Sequence, residues 1–510
     1  MMIYQECADL LNARVAVASD AGKAMRLYEK AVRSNPKNVL VLQEAGAYFA
    51  EHHELSKSHA CIERLIKLGK GQDARILLLA GLMWRQAYRP EKALSCLREA
   101  SQMPQASPKV YLELADLLER ASQYEEAREA VDRCLTVDEK SGVAKELKAR
   151  ILHACGEKEE SFRLLHASLN QGGVPKVELA RILNTWARML DSEGAYDEAF
   201  DTLLQSKELL RNTGGVRSMG RANQVENARL SAMVEGVNSS HVESWLSEAE
   251  VGQTRQVLLT GAPRSGTTLI ERYIDAHEEV VAVDEYNALT GRVIPSALSR
   301  EFRNAGALDI GVVDRISPRD REMSVKRYLK LMEMYLGERV GSRCLLDKNP
   351  GLTGHLPAIL RIMPQMKILY ALRNPLDVAI SSFFSWFPGN RMSVEYFTLE
   401  STVKRVSLEL DFWLKLRGVL PTALWRETRY EDTVGDVEKE VDGIFDWLGV
   451  TGRGDERERK GQVYVNSPTY REASKPIYTS SQDRWKNYEK HLQGCVGELQ
   501  WHCDQLGYSV

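Results

Sequence analysis

The sequence predicts two architectures in tandem, an α-solenoid followed by an α/β domain of the phosphate-loop type with a parallel sheet. Three observations carry that expectation. Small residues recur every 34 to 38 residues from Ala24 to Ala199. Short apolar strands alternate with helical stretches from Gln253 onward. At the head of that second part, Gln256–Leu269 reads QVLLTGAPRSGTTL: an apolar strand, a Gly-Pro-Gly loop, then a helix opening on two threonines.

The repeat sets the first domain. Ala24, Ser58, Ala93, Ala127, Ser161 and Ala199 each begin the same pattern, at spacings of 34, 35, 34, 34 and 38 residues. A second small residue follows seven positions later at Ala31, Ala100, Cys134, Ser168 and Ser206, with Leu65 as the exception. Helices at this period, with small residues where two helices cross closely, resemble tetratricopeptide repeats. Residues 1–212 are expected to form that array. Its concave groove either takes a protein or peptide or packs only on its own neighbouring domain.

Asn212–Gly215 breaks the pattern and Val216–Glu235 reads as one more polar helix, so 213–250 are expected as a helical connector. The second domain is expected over 251–510, with strands at Val257–Thr260, Val280–Val283, Cys344–Leu346, Ile368–Leu372 and Ala423–Tyr430. Strands alternating with helices imply a parallel sheet whose ligands sit beyond the carboxyl ends of its strands.

Composition bounds the rest. The chain has 510 residues, 44% hydrophobic and 27% charged, with a net charge of −3. That balance gives no reason to expect nucleic acid or an acidic membrane as partner. The eight cysteines stand singly, without a C-x-x-C pair, which speaks for reduced thiols in a cytoplasm and against zinc. No apolar run approaches the ~18 residues that span a bilayer. The N-terminal MMIYQECADLLNARVA is acidic early and unlike a secretory signal. The expectation is a soluble cytoplasmic protein, with a homodimer left open.

The Gly-Pro-Gly loop aims backbone N–H groups and a helix N-terminus at one point, which is a phosphate cradle. A Walker A loop reads G-x-x-x-x-G-K-[ST]; Gly261 and Gly266 keep its spacing, but Thr267 replaces the lysine. Arg264 brings the positive charge from inside the loop instead. The loop should bind a phosphorylated nucleotide without splitting ATP, which speaks against a P-loop kinase. Downstream, Arg373 leaves the strand KILYAL, and Asn374-Pro375 starts a helix that carries Ser381. Together they are placed to grip a second phosphate, although an arginine after a strand is by itself more often a solvated surface residue.

PRSGTTL at 263–269, Arg373 with Ser381 eight residues on, and RYED at 429–432 together resemble the sulfotransferases that use 3′-phosphoadenylyl sulfate (PAPS). The resemblance covers roughly residues 253–510. It implies that Arg264, Ser265, Gly266, Thr267 and Thr268 bind the 5′-phosphosulfate and that Arg373 and Ser381 bind the 3′-phosphate. Tyr430 matches a tyrosine that lies along the cofactor. Within the family the chain looks most like the protein-tyrosine branch and bacterial relatives with N-terminal tetratricopeptide repeats. The family's catalytic glutamate, 21 residues after the loop arginine, falls on Glu285, and its lysine on Lys348 of LLDKNP. The C-terminal run TYREASKPIYTSSQDRW places Thr469 near the bridging oxygen, where the tyrosine enzymes carry serine, and Arg484 near the 3′-phosphate.

The chemistry needs these residue types. In-line transfer of a sulfuryl group rests on positioning and charge stabilisation, by analogy with phosphoryl transfer. Glu285 is the expected base for the acceptor hydroxyl, with Lys348 and Arg264 offsetting negative charge and Thr268 and Thr469 adding hydrogen bonds. No metal is required. Asp284 is the rival base, and strand alternation is expected to let only one of the two face the cofactor. His277 and His355 are weaker rivals.

The expected acceptor is a tyrosine of a protein or peptide, with a glycan or small-molecule hydroxyl as the alternative. After Glu285 the chain runs Tyr286 to Gly291 before Arg292, without the basic residues that suit acidic peptides. Phe383–Asn390 either lines an acceptor pocket or forms a helix-end core. The contrasting class is a repeat-based interaction protein with an inactive nucleotide site, against which stand the intact Arg264, Thr267, Lys348, Arg373, Ser381 and Glu285.

Overall fold

The repeat read from the sequence is a helix pair closed by a left-handed turn. The computed structural model describes residues 6–17, 20–170, 173–248, 255–298, 309–387, 391–451 and 481–510. The chain divides into two units, Met1–Asn170 and Gln171–Val510.

In the first unit, Val39–Glu51 pairs with Leu55–Gly69, Ala74–Gln86 with Pro90–Ser101, Pro108–Arg120 with Tyr124–Val137, and Gly142–Ala154 with Lys158–Leu169. Ala8–Val17 and Ala21–Ser34 form the pair before them. Each recurring small residue lies on the second helix of its pair, and Ala24, Ser58, Ala93, Ala127 and Ser161 are fully buried. A small side chain lets two helix backbones approach, and Ser161 uses that approach to donate its hydroxyl to Ala149 O at 2.8 Å. Five positions before the small residue, His53, Tyr88, Ser122 and Gly156 take positive φ of 57°, 58°, 57° and 87°. The next amide then bonds back to the carbonyl five residues earlier: Glu54 to Phe49, Arg89 to Trp84, Gln123 to Leu118 and Glu157 to Leu152, at 2.7–2.9 Å. This helix-terminating bond ends the first helix and sets the angle of the second.

The sixth pair, Lys176–Ser192 with Tyr196–Arg211, keeps the same turn at Gly194 and the same buried marks at Ala199 and Ser206. It lies in the second unit. The expected connector is built as two helices, Val216–Gly236 and Ser239–Ser247. They are anchored by Asn223 Nδ2 to Arg391 O at 2.6 Å and by Trp245 Nε1 to Asp314 Oδ1 at 2.7 Å.

The sheet of the second unit comprises β1 (Gln256–Gly261), β2 (Val280–Asp284), β3 (Cys344–Lys348), β4 (Lys367–Leu372) and β5 (Trp425–Arg429), in the order β2-β3-β1-β4-β5. Every pairing is parallel. β1, β2 and β4 are near-continuous apolar runs, as strands covered on both faces are, whereas the edge strand β5 (WRETR) is polar and mostly half-buried. On one face Val257 and Leu259 pack with Ile270, Ile274, Phe445 and Leu448 from helices Thr267–Ile274 and Val437–Leu448. On the other, the Tyr370 ring stacks on Trp413 at 3.9 Å. The strands fall within two residues of their expected positions. The last is trimmed at both ends, because Thr422–Leu424 forms a short turn after Pro421 and Tyr430 opens helix Tyr430–Gly435. Among the described residues, no helix is long and apolar enough to cross a membrane.

Candidate active site

Parallel strands deliver their carboxyl ends to one edge of the sheet, and the expected site residues gather there. The loop after β1 passes so close to β4 that a Cβ on Gly261 would meet Ala371 O at 2.4 Å. Gly266, with φ 97°, caps helix Thr267–Ile274 and lies under Tyr430, whose ring a Cβ would meet at 2.8 Å. Both positions therefore demand glycine. Arg264 itself holds φ 75°, a conformation uncommon for a residue with a side chain. Ser265, Thr267 and Thr268 are buried around the helix N-terminus. The Ser265 hydroxyl has no hydrogen-bond partner among the described residues.

The two expected anion sites are joined. Arg264 Nε donates to Ser381 Oγ at 3.0 Å, and Arg373 Nη1 donates to Arg264 O at 3.2 Å. Ser381 reaches this point because Asn374 caps helix Pro375–Phe384 and Pro375 starts it. The Arg373 guanidinium lies 4.7 Å from the Tyr430 ring centre, donates to Ser481 O and stands 3.8 Å from Asp377. Its Nε is buried and unpartnered among the described residues.

Glu285 and Lys348 meet at the ends of β2 and β3. Lys348 is fully buried, and its Nζ lies 2.8 Å from Glu285 Oε1, 3.6 Å from Glu271 Oε2, and in an ion pair with Asp284. Burial alone would push the ammonium toward neutrality. The fields of Asp284, Glu271 and Glu285 together outweigh that and hold it charged.

The expectation that only one of Asp284 and Glu285 reaches the site is corrected here. Strand alternation ends at Asp284; Glu285 turns left-handed at φ 52° while its amide bonds Lys348 O at 2.9 Å. That turn brings both carboxylates to the same lysine. Glu271, the third, was not singled out from the sequence; its signal was its place one turn beyond Thr267 on the loop helix.

The segment after residue 480 packs against Arg373 and its helix. Ser481 meets Arg373, and the Trp485 amide donates to Asp377 Oδ1 at 2.8 Å. Arg484 lies 5.0 Å from the Phe384 ring, one turn beyond Ser381, and donates to Asp191 Oδ2 at 2.8 Å. Thr469 lies outside the described residues. Phe383 and Phe384 are buried against Phe200 and Tyr488, which makes them a helix-end core. His277 packs on Phe445 and accepts from the Glu279 amide, while His355 is driven down to about 4 by burial beside Arg405; neither joins the site.

Residues 256–453 match the model of the sulfotransferase family. An uncharacterized protein of Aquifex aeolicus (strain VF5) is 24% identical over 421 residues, covering 80% of this chain and 52% of its own length. Protein-tyrosine sulfotransferase 2 of Gallus gallus is 27% identical over 139 residues, covering 27% of this chain and 35% of its own. The chain thus spans about half or less of the length of the curated relatives it matches. Among solved structures, the sulfotransferase domain from the curacin biosynthetic pathway aligns with a TM-score of 0.33 at 18% identity, covering 50% of this chain and 99% of that one.

Proposed function

We propose, on the match of residues 256–453 to the sulfotransferase family model, that the protein moves a sulfuryl group from PAPS to a hydroxyl acceptor, the phenol of a tyrosine in a protein or peptide. The observation that carries the donor is the Arg264–Ser381 hydrogen bond, which fuses the β1 loop and the Arg373 region into one cradle. Two buried polar atoms there, Ser265 Oγ and Arg373 Nε, have no partner among the described residues. Buried donors left unpaired are costly, and a doubly anionic nucleotide would satisfy them.

PAPS, when bound, supplies a sulfuryl group on a phosphate leaving group. Ser265, Gly266, Thr267 and Thr268 hold the 5′-phosphosulfate through amides, hydroxyls and the helix N-terminus. Arg373, Ser381 and Arg484 hold the 3′-phosphate, and Tyr430 lies along the nucleotide. Glu285 takes the acceptor's proton as the new O–S bond forms and the S–O bond to the 5′-phosphate breaks. Its Oε1 is oriented by Lys348, and its side chain is 27% exposed, open to an incoming hydroxyl. Lys348 and Arg264 offset the negative charge on the sulfuryl and bridging oxygens. Thr469 is assigned to the bridging oxygen by the family resemblance alone.

The likeness to a protein-tyrosine sulfotransferase supports tyrosine as acceptor, and the helix pairs of the first unit supply a surface for recruiting a protein. The test is incubation of the full chain with sulfur-labelled PAPS and three acceptors: a tyrosine peptide, a glycan and a small phenol. Label on the peptide supports the reading. Label only on the glycan or phenol replaces the acceptor. No label on any, with nucleotide still bound, turns the protein into a nucleotide-binding interaction module.

A further inference from the structure

The helix pair Lys176–Ser192 and Tyr196–Arg211 continues the repeat, yet its buried polar side chains end on the nucleotide-binding half of the second unit. Asn184 donates its Nδ2–H to Phe384 O at 3.3 Å. Lys207, buried with its Nζ 5.3 Å from the Phe383 ring, donates to Ser385 O at 3.2 Å. These carbonyls lie at the C-terminal end of helix Pro375–Phe384, where the helix has no amides of its own left to bond them. Burial drives the Lys207 amine down to about 7, which leaves it an N–H donor in either protonation state.

A third side chain of the pair reaches further. Asp191 Oδ2 accepts from Arg484 Nη2 at 2.8 Å, and its Oδ1 accepts from the Tyr488 hydroxyl. The Arg484 guanidinium is flanked by the Phe384 and Tyr488 rings at 5.0 and 5.8 Å. Phe200 of the same pair packs against both Phe383 and Tyr488. One hairpin therefore fixes the end of the helix that carries Ser381 and the side chain of Arg484. Burying an asparagine and a lysine costs free energy unless they are hydrogen-bonded, and here both partners stand at the C-terminal end of that helix, Phe384 in its last turn and Ser385 as its cap.

We infer that this sixth helix pair is a component of the nucleotide site, and that Asp191 is a positioning residue that holds Arg484 for the 3′-phosphate. The inference rests on the PAPS reading given above. It is tested on the full chain by calorimetry with adenosine 3′,5′-bisphosphate and with AMP, which lacks the 3′-phosphate. Asp191→Ala should weaken the bisphosphate roughly tenfold, the size of one charge-assisted hydrogen bond, and leave AMP within about twofold. Asp191→Asn, which keeps an acceptor oxygen, should recover part of the loss. AMP binding within twofold also shows that the variant is folded. An equal loss for both nucleotides, or bisphosphate affinity that stays unchanged or rises, would overturn the positioning role. A wild-type chain that does not prefer the bisphosphate to AMP would instead overturn the nucleotide reading itself.

Discussion

Lys348 Nζ stands 2.8 Å from Glu285 Oε1 because β2 and β3 pair in parallel with Asp284 opposite Lys348, and Glu285 then turns left-handed beside them. Two residues 63 apart in sequence thus become neighbours at the carboxyl edge of the sheet. The β1 loop is held to the same edge by Asn349 N to Leu259 O at 3.0 Å and Gly351 N to Gly261 O at 2.8 Å. Glu285, Lys348 and the β1 loop are placed by three strand ends rather than by one motif.

Glu285→Gln keeps the size of the side chain and an oxygen for Lys348, but removes the basic carboxylate. The expected outcome is nucleotide affinity within about twofold of wild type and turnover lower by roughly 10²–10⁴-fold, the usual contribution of a general base. Calorimetry and single-turnover sulfuryl transfer measure the two quantities. Turnover at the wild-type rate would pass the base role to Asp284.

Lys348→Met removes the cation and leaves Asp284, Glu271 and Glu285 facing one another without it. Breaking a buried ion pair from one side costs about 3–5 kcal/mol. Urea unfolding should show a loss of that order, and a smaller one when Asp284→Asn is added to remove one of the stranded carboxylates. The same loss with and without Asp284→Asn would mean that packing, not charge, keeps the lysine in place.

Asp347 lies on β3 beside Lys348, where burial pushes its carboxyl up to about 7 against the hydrogen bonds from Asn349 and Tyr328. In the unfolded chain it ionises near ~4. Between those values the folded state holds the extra proton. Its contribution to stability is therefore fully present below ~4 and is lost as pH rises through about 7. Asp347→Asn carries no ionisable proton there, so its stability relative to wild type should improve between pH 5 and pH 8. A constant difference across that range would contradict the assignment.

The sequence announced the sheet and the loop because apolar runs and glycines at fixed spacing leave few other conformations. It marked the repeat through small residues, but not the turn that closes each pair. At His53, Tyr88 and Ser122 that turn is left-handed without glycine, so the usual signal is absent. The Lys348 cluster was half legible. Glu285 and Lys348 came from the family spacing, whereas Asp284 was set aside on strand alternation, which lapses where β2 ends. The Asp191–Arg484 contact joins residues 293 apart, and no local pattern encodes it. It exists only once the last helix pair packs on helix Pro375–Phe384.

Arg264, Ser381 and Arg373 are expected to form one cradle for a nucleotide phosphorylated at both the 3′ and 5′ positions. The most direct measurement is calorimetry of the full chain with adenosine 3′,5′-bisphosphate and with ATP. Tight binding of the bisphosphate is expected, with a preference over ATP that shrinks by roughly tenfold or more in Arg373→Ala, the loss of a charge-assisted phosphate contact. Equal affinity for the two nucleotides, or no binding of the bisphosphate, would contradict it.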